Sequence, residues 1–299
     1  MNIEEFKNKL DQNGLGKYFE KLKPFFRSAI RFYDREIDES AMVIGQTKIG
    51  GRPDLPKGIN WFTETNTIER GTKFLFFDNR KKEIITIPLS FIAQINFSEV
   101  SVYDKEGLLP NTGILYFFYC AEQDAWGFDF KDKNKFKTFY WNGNFEELKR
   151  CDFPIDLPKY SRFKPTAVEI KHEVNLPCYE DEIYEELEDG EDEKFWEKVY
   201  YSGSINKLLG YSDNIQGEME LECELVTNGL YCGDPSGYND PRAESLEKNA
   251  KDWLLLLQID SNEKNEMMWG DGGRLYFWIK KEDLSKINFE NTWFSLQCS

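Results

Sequence analysis

The sequence predicts a mixed α+β protein of mostly antiparallel sheets, arranged in two similar halves with a few short peripheral helices. Three observations carry that prediction. Aromatic residues make up 16% of the chain, and Phe, Tyr and Trp favour pleated surfaces. Short apolar runs separated by turn residues read as hairpins, with few stretches long enough for helical crossovers. The stretch Trp253 to Ile279 also echoes Leu89 to Tyr119. Each has an apolar run ending in Gln-Ile-Asn/Asp, a polar interval, then Gly and a strand containing an apolar residue, Tyr and Phe.

The echo keeps its register. Gln94 matches Gln258 at a spacing of 164, and Tyr116 matches Tyr276 at 160. Gly51-Arg52-Pro53-Asp54 matches Gly210-Tyr211-Ser212-Asp213 at 159. A near-constant offset of this size describes a duplicated half, since a solenoid repeats every ~20–50 residues. The chain is therefore expected to be one compact domain over 1–299, with a pseudo-repeat at about 28–150 and 166–299.

Ile3, Phe6 and Leu10, then Leu15, Tyr18, Phe19 and Leu22, recur at helical spacing and predict two short amphipathic helices. Ile30 and Phe32 alternate with arginines in a strand. Phe74 to Phe77 and Ile84 to Ile87 predict a hairpin. Leu89 to Phe97 is apolar nearly throughout and predicts a strand covered on both faces. Trp126, Phe128 and Phe130 alternate with polar residues, and the turn after them leads to a return strand at Phe136 to Trp141. Pro154, Pro158 and Pro165 mark a linker between halves, and Val168 to Val174 a further strand. In the acidic run Tyr179 to Tyr201, Ile183, Leu187, Phe195 and Val199 keep helical spacing, so it reads as two helices with a solvated charged face. Glu218 to Val226 reads as an alternating strand, Asp240-Pro241 as a helix start, and Phe289 to Leu296 as the last strand.

Composition excludes some functions. The net charge is −16, a field that repels nucleic-acid backbones and anionic membranes, so neither is an expected partner. A basic protein or a small molecule remains open. Without a signal pattern or a long apolar span, the chain reads as cytosolic. Cys120, Cys151, Cys178, Cys223, Cys232 and Cys298 are scattered without CxxC and read as free thiols. With His172 as the one histidine, no metal site is expected. No phosphate-binding loop, dinucleotide fingerprint or nucleophile elbow occurs, so no cofactor is expected and catalysis stays undecided.

The candidate ligand-binding residues are Arg52, Asp54, Gln94, Gln258, Trp269 and Asp271. Arg52 and Asp54 lie in the rigid loop Gly50 to Pro56, which either braces itself or faces a ligand. Gln94 and Gln258 interrupt buried strands; unmet amides there would cost about 1–3 kcal/mol each. They either knit the core or line a shared cleft. Trp269 and Asp271 belong to Met267 to Gly273, where three glycines around one Asp make either an anion-binding loop or a tight bend. Should the halves be related, these loops flank a groove between them, a common place for a ligand.

The blocks GGRPDLP, PLSFIAQINF, LPNTGILYFFY, LLGYSDNIQ, WLLLLQID and MMWGDGGRLYFWI follow in that order over nearly the whole chain. Together they resemble the uncharacterised bacterial YwqG-like family. The resemblance implies a cytosolic bacterial α+β protein built from a duplicated unit, and implies no reaction, cofactor or catalytic residue. The functional expectation is a non-catalytic binding or interaction protein with an acidic surface, immunity-like in character. The alternative is a small-molecule binder or enzyme with its site between the halves.

Overall fold

The computed structural model describes every residue except 71, 72, 75, 76, 79, 178–181, 185, 186, 189 and 201–204. Its strands in chain order are β1 (Arg27–Glu36), β2 (Lys48–Ile49), β3 (Asp54–Pro56), β4 (Thr63–Arg70), β5 (Lys73–Phe74), β6 (Phe77–Asp78), β7 (Lys81–Pro88) and β8 (Ser90–Asn96). They continue with β9 (Ile114–Tyr119), β10 (Phe136–Trp141), β11 (Leu148–Arg150), β12 (Thr166–Asn175), β13 (Asn206–Leu209), β14 (Trp253–Asp260), β15 (Arg274–Lys280) and β16 (Trp293–Gln297). Ten of them form one sheet in the order β10-β9-β8-β2-β12-β1-β13-β14-β15-β16. Every neighbouring pair is antiparallel. The protein is thus α+β with sheet dominant, as expected.

The sheet curls until its ends nearly meet. Phe136 of β10 packs against Phe294 of β16 with ring centroids 4.8 Å apart, and Phe117 of β9 meets Phe277 of β15 at 4.8 Å. Thr138 of β10 donates its hydroxyl to the Phe289 carbonyl at 2.6 Å. Closure covers strand edges that would otherwise invite pairing with another chain. It also explains why β8, β9 and β14 read as unbroken apolar runs: nearly every residue in them is buried.

At the middle of the sheet β1 and β12 pair over their full length, Arg27 opposite Asn175 through Glu36 opposite Thr166. β1 then hands on to β13, while β12 hands on to β2. Each strand therefore pairs with a short strand from the far part of the sequence. Two bulges occur at matching places, between Phe91 and Ala93 in β8 and between Leu255 and Leu257 in β14.

A second apolar cluster sits apart from the main core. Phe6, Leu10, Tyr18 and Phe19 of the N-terminal helices pack with Phe195 and Val199 of the acidic run. The first helix, Ile3–Gln12, starts with a capping box between Asn2 and Glu5. Where described, the acidic run is not only a solvated face. It forms a short helix, Glu191–Lys194, that continues as a π-helix, Phe195–Tyr200, and Glu188 and Glu191 pair with Lys17 at 2.8 and 3.0 Å.

Several sequence expectations need correction. Glu218 to Val226 holds a helix, Glu220–Thr227, rather than a strand. Its buried set includes Glu222 and Glu224 beside Cys223, Leu225 and Val226, which erases the one-sided helical period. Glu224 is satisfied by Lys280 at 2.6 Å and the Trp253 indole at 2.9 Å. Residues 126–130 form no strand, because their carbonyls are taken elsewhere: Trp126 accepts from Leu296 N–H and Phe128 from Cys232 N–H. β10 returns against β9 instead. β7 pairs with β4, and β5 with β6, so Ile84 to Ile87 does not pair with Phe74 or Phe77, while residues 75 and 76 of the expected hairpin lie outside the described residues. Phe289–Asn291 is a single 3-10 turn before β16. Cys120, Cys151, Cys223, Cys232 and Cys298 are free thiols, whereas Cys178 lies outside the described residues. Among the described residues, no helix is long and apolar enough to cross a membrane.

Glu222 gives the fold a pH dependence. Burial pushes its carboxyl up to about 7, while bonds from Ser295 and Tyr238 pull the other way. Between an unfolded value of about 4.3 and about 7, the folded chain keeps a proton that the unfolded chain has released. Stability from this group therefore falls as pH rises through that window. Glu222→Gln is expected to keep the bonds and remove the slope, so the variant gains on the parent from about pH 5 to about pH 8. Urea midpoints at the two pH values measure this, and an unchanged difference would refute it.

Candidate functional site

Two buried polar networks pin irregular loops onto the sheet. In the first, the Gln94 carbonyl accepts from Asp54 N–H at 2.8 Å, and its amide donates to the Gln46 carbonyl at 2.8 Å and Asp54 Oδ2 at 2.9 Å. Lys48 Nζ lies 3.3 Å from Asp54 Oδ2, and both side chains are fully buried. The Tyr116 hydroxyl donates to the Asp54 carbonyl at 2.6 Å.

The second network makes the same bonds. The Gln258 carbonyl accepts from Asp213 N–H at 2.9 Å, and its amide donates to the Ile205 carbonyl at 2.8 Å and Asp213 Oδ2 at 2.9 Å. Lys207 forms the ion pair with Asp213, and the Tyr276 hydroxyl donates to the Asp213 carbonyl at 2.6 Å. Backbone strain recurs too. Gly50 and Gly51 have φ of +66° and +72°, and Leu209 and Gly210 have +59° and +75°. Leu209 holds a conformation that side chains disfavour, one that its surroundings must enforce.

The networks differ in what meets the outer side of the aspartate. Arg150 clasps Asp54 in a fork, Nε to Oδ1 at 2.9 Å and Nη2 to Oδ2 at 3.4 Å. The same guanidinium donates to the carbonyls of Glu39 and Met42, so Asp54 is sealed at 0% exposure. Asp213 is 16% exposed. Arg274 bonds the Asp213 backbone carbonyl, at 2.8 Å, and its charge favours the Asp213 carboxylate from nearby, while its Nε bonds Asp260 at 3.0 Å. Burial raises both carboxyls. Lys48 and then Arg150 reverse this for Asp54, and Lys207 reverses it for Asp213, so both stay below the usual carboxylate range.

Asp213 opens into a cavity of about 1130 Å³. Its floor is the β1–β12 pair, with Arg31, Tyr33, Lys171 and Glu173, and its far wall is the first helix. Trp196 and Tyr200 of the π-helix supply aromatic surface, and such widened turns recur at functional sites. Glu173 accepts a short bond from the Tyr33 hydroxyl. Burial, ahead of that bond, pushes Tyr33 up to about 12. A smaller cavity of about 450 Å³ contains Glu64, whose Oε2 pairs with Lys135 at 2.8 Å.

The six sequence-selected residues fall in different settings. Asp54 and Gln94 are bonded to each other in the first network, and Gln258 holds the equivalent place in the second. Arg52 turns to Glu39 at 2.7 Å and Asp152 at 2.8 Å. It is not the strong cation beside Asp54; Lys48 and Arg150 are. Trp269 is fully buried between Tyr119 and Phe163, and Asp271 lies exposed, its carbonyl accepting from the Ser299 hydroxyl. Among the described residues, no hydrogen bond or ion pair links Asp271 with the other five. None of the six borders the large cavity as described. Lys48, Lys207, Asp213 and Arg150 went unselected. The spacing held a signal for three of them, because Lys48 and Lys207, like Asp54 and Asp213, stand 159 residues apart (207 − 48 and 213 − 54).

A family model matches residues 47–298, a span holding all six sequence blocks and both networks but for the Gln46 carbonyl. The chain belongs to the DUF1963 family, a domain of unknown function. The match begins after β1 and the N-terminal helices, so one wall of the cavity lies outside it. No curated protein matches the chain.

Gln94→Leu strips partners from the Asp54 amide and the Gln46 carbonyl, and Gln258→Leu does the same to Asp213 and Ile205. A buried polar group left unmet costs about 1–3 kcal/mol, so each variant is expected to lose about 2–4 kcal/mol in urea unfolding. A loss near zero at either site would show that network to be dispensable.

Proposed function

We propose that the protein is a non-catalytic binding protein for a small charged organic molecule held in the cavity beside Asp213. The observation that carries this reading is the composition of the cavity walls. The lining includes the cations Arg31, Lys171 and Arg274, the anions Glu173 and Asp213, and the rings of Tyr33, Trp196 and Tyr200. Ligand pockets join a few convergent polar groups to apolar and aromatic surface in this way. The cavity also gathers cations in a chain of net charge −16.

The repeated networks and the matching bulges support an internal duplication over about 28–150 and 166–299 within one domain. On that reading β1 and β12 are exchanged between the halves, and the cavity opens at their junction. Similarity to the YwqG-like family supports a bacterial, cytosolic member of the DUF1963 family.

A thermal-shift screen of amino acids, organic acids, amines and nucleotides tests the reading. A ligand near 100 times its Kd adds about 2.7 kcal/mol, which is about 5 °C or more for a chain of this size. At least one class is expected to raise the melting temperature, and Trp196→Ala to remove the rise. A flat response across the panel would overturn the reading.

A further inference from the structure

The two networks make the same five contacts, so the first serves as a template for what the second lacks. At Asp54 a planar guanidinium closes the outer side of the carboxylate, two nitrogens facing two oxygens. At Asp213 the corresponding side meets the cavity. Lys207 and Gln258 hold Asp213 from behind through Oδ2, as Lys48 and Gln94 hold Asp54. The carboxylate is thus fixed in place, charged and open on one side.

We propose that Asp213 anchors a guanidinium-bearing ligand, which takes at Asp213 the place that Arg150 takes at Asp54. A fork of two parallel N–H bonds to a carboxylate is both directional and strong, and a guanidinium sheds water more readily than an ammonium. Glu173, 13% exposed on the same cavity, takes the Met1 ammonium at 2.8 Å and the Tyr33 hydroxyl on Oε1, and its Oε2 is a second acceptor. Lys171, paired at the surface with Glu169 at 3.0 Å, borders the cavity as well and suits an acidic group at the ligand's other end. The chemical class is therefore a guanidino acid, of which arginine is the simplest probe, and Tyr33, Trp196 and Tyr200 flank its aliphatic stem. This inference rests on the small-molecule reading and names the ligand class for that site.

The test compares arginine with citrulline, which keeps length and carboxylate but replaces the guanidinium with a neutral urea. Melting temperature and calorimetric affinity are measured on the full chain. Arginine is expected to raise the melting temperature and to bind at least tenfold more tightly than citrulline. Asp213→Asn is expected to erase that difference, while Asp54→Asn, which disturbs the equivalent buried pair, leaves it intact. Should Asp213→Asn fail to fold, the arginine–citrulline comparison on the unaltered chain still decides. Equal binding of the two, or a response confined to other classes of the panel, overturns the guanidinium anchor and leaves the small-molecule reading standing. No response to any compound overturns both.

Discussion

The structure depends on burying two Lys–Asp pairs beneath a curled sheet. A buried ion pair is expensive unless its remaining lone pairs and protons are met. Here the sheet meets them with a glutamine, and a tyrosine hydroxyl takes the aspartate's own carbonyl. The outcome is positional rather than simply stabilising. Each aspartate ties an irregular loop to a central strand, so the loop's backbone cannot move without exposing a charge to an apolar interior. The left-handed residues before each loop are held by that constraint.

Around these clamps the remaining architecture is consistent. The β1–β12 pair sets the middle of the sheet, curling brings the aromatic faces of β9, β10, β15 and β16 together, and the first helix walls the large cavity among the described residues. The clamps are alike in their bonds and unlike in their surroundings. One is closed by Arg150, and the other opens on the cavity. That contrast between two sites in a single chain turns a structural device into a candidate binding site.

Much of this was legible in the sequence. Unbroken apolar runs told of strands buried on both faces, and Gln94 and Gln258 stood out because an amide inside such a run must be satisfied. The Gly-rich loops announced unusual backbone angles. The lysines were harder to see, because a Lys in a strand of two or four residues resembles any solvent-facing cation until its burial is known. Asp213 was visible only as a loop residue, since nothing local records whether a distant Arg150 or an open cavity meets it. The helix at Glu220–Thr227 was hidden for a similar reason. Its buried glutamates find Trp253, Lys280 and Ser295 from remote strands, which no local period can report.

The most direct test of the central claim is chemical rescue at the closed clamp. Arg150→Ala should destabilise the fold by uncovering Asp54, and millimolar methylguanidinium should restore stability to the variant well beyond its effect on the unaltered chain. A variant that loses stability and gains nothing from the added cation would contradict the account, because the guanidinium would then not be the group that completes the clamp.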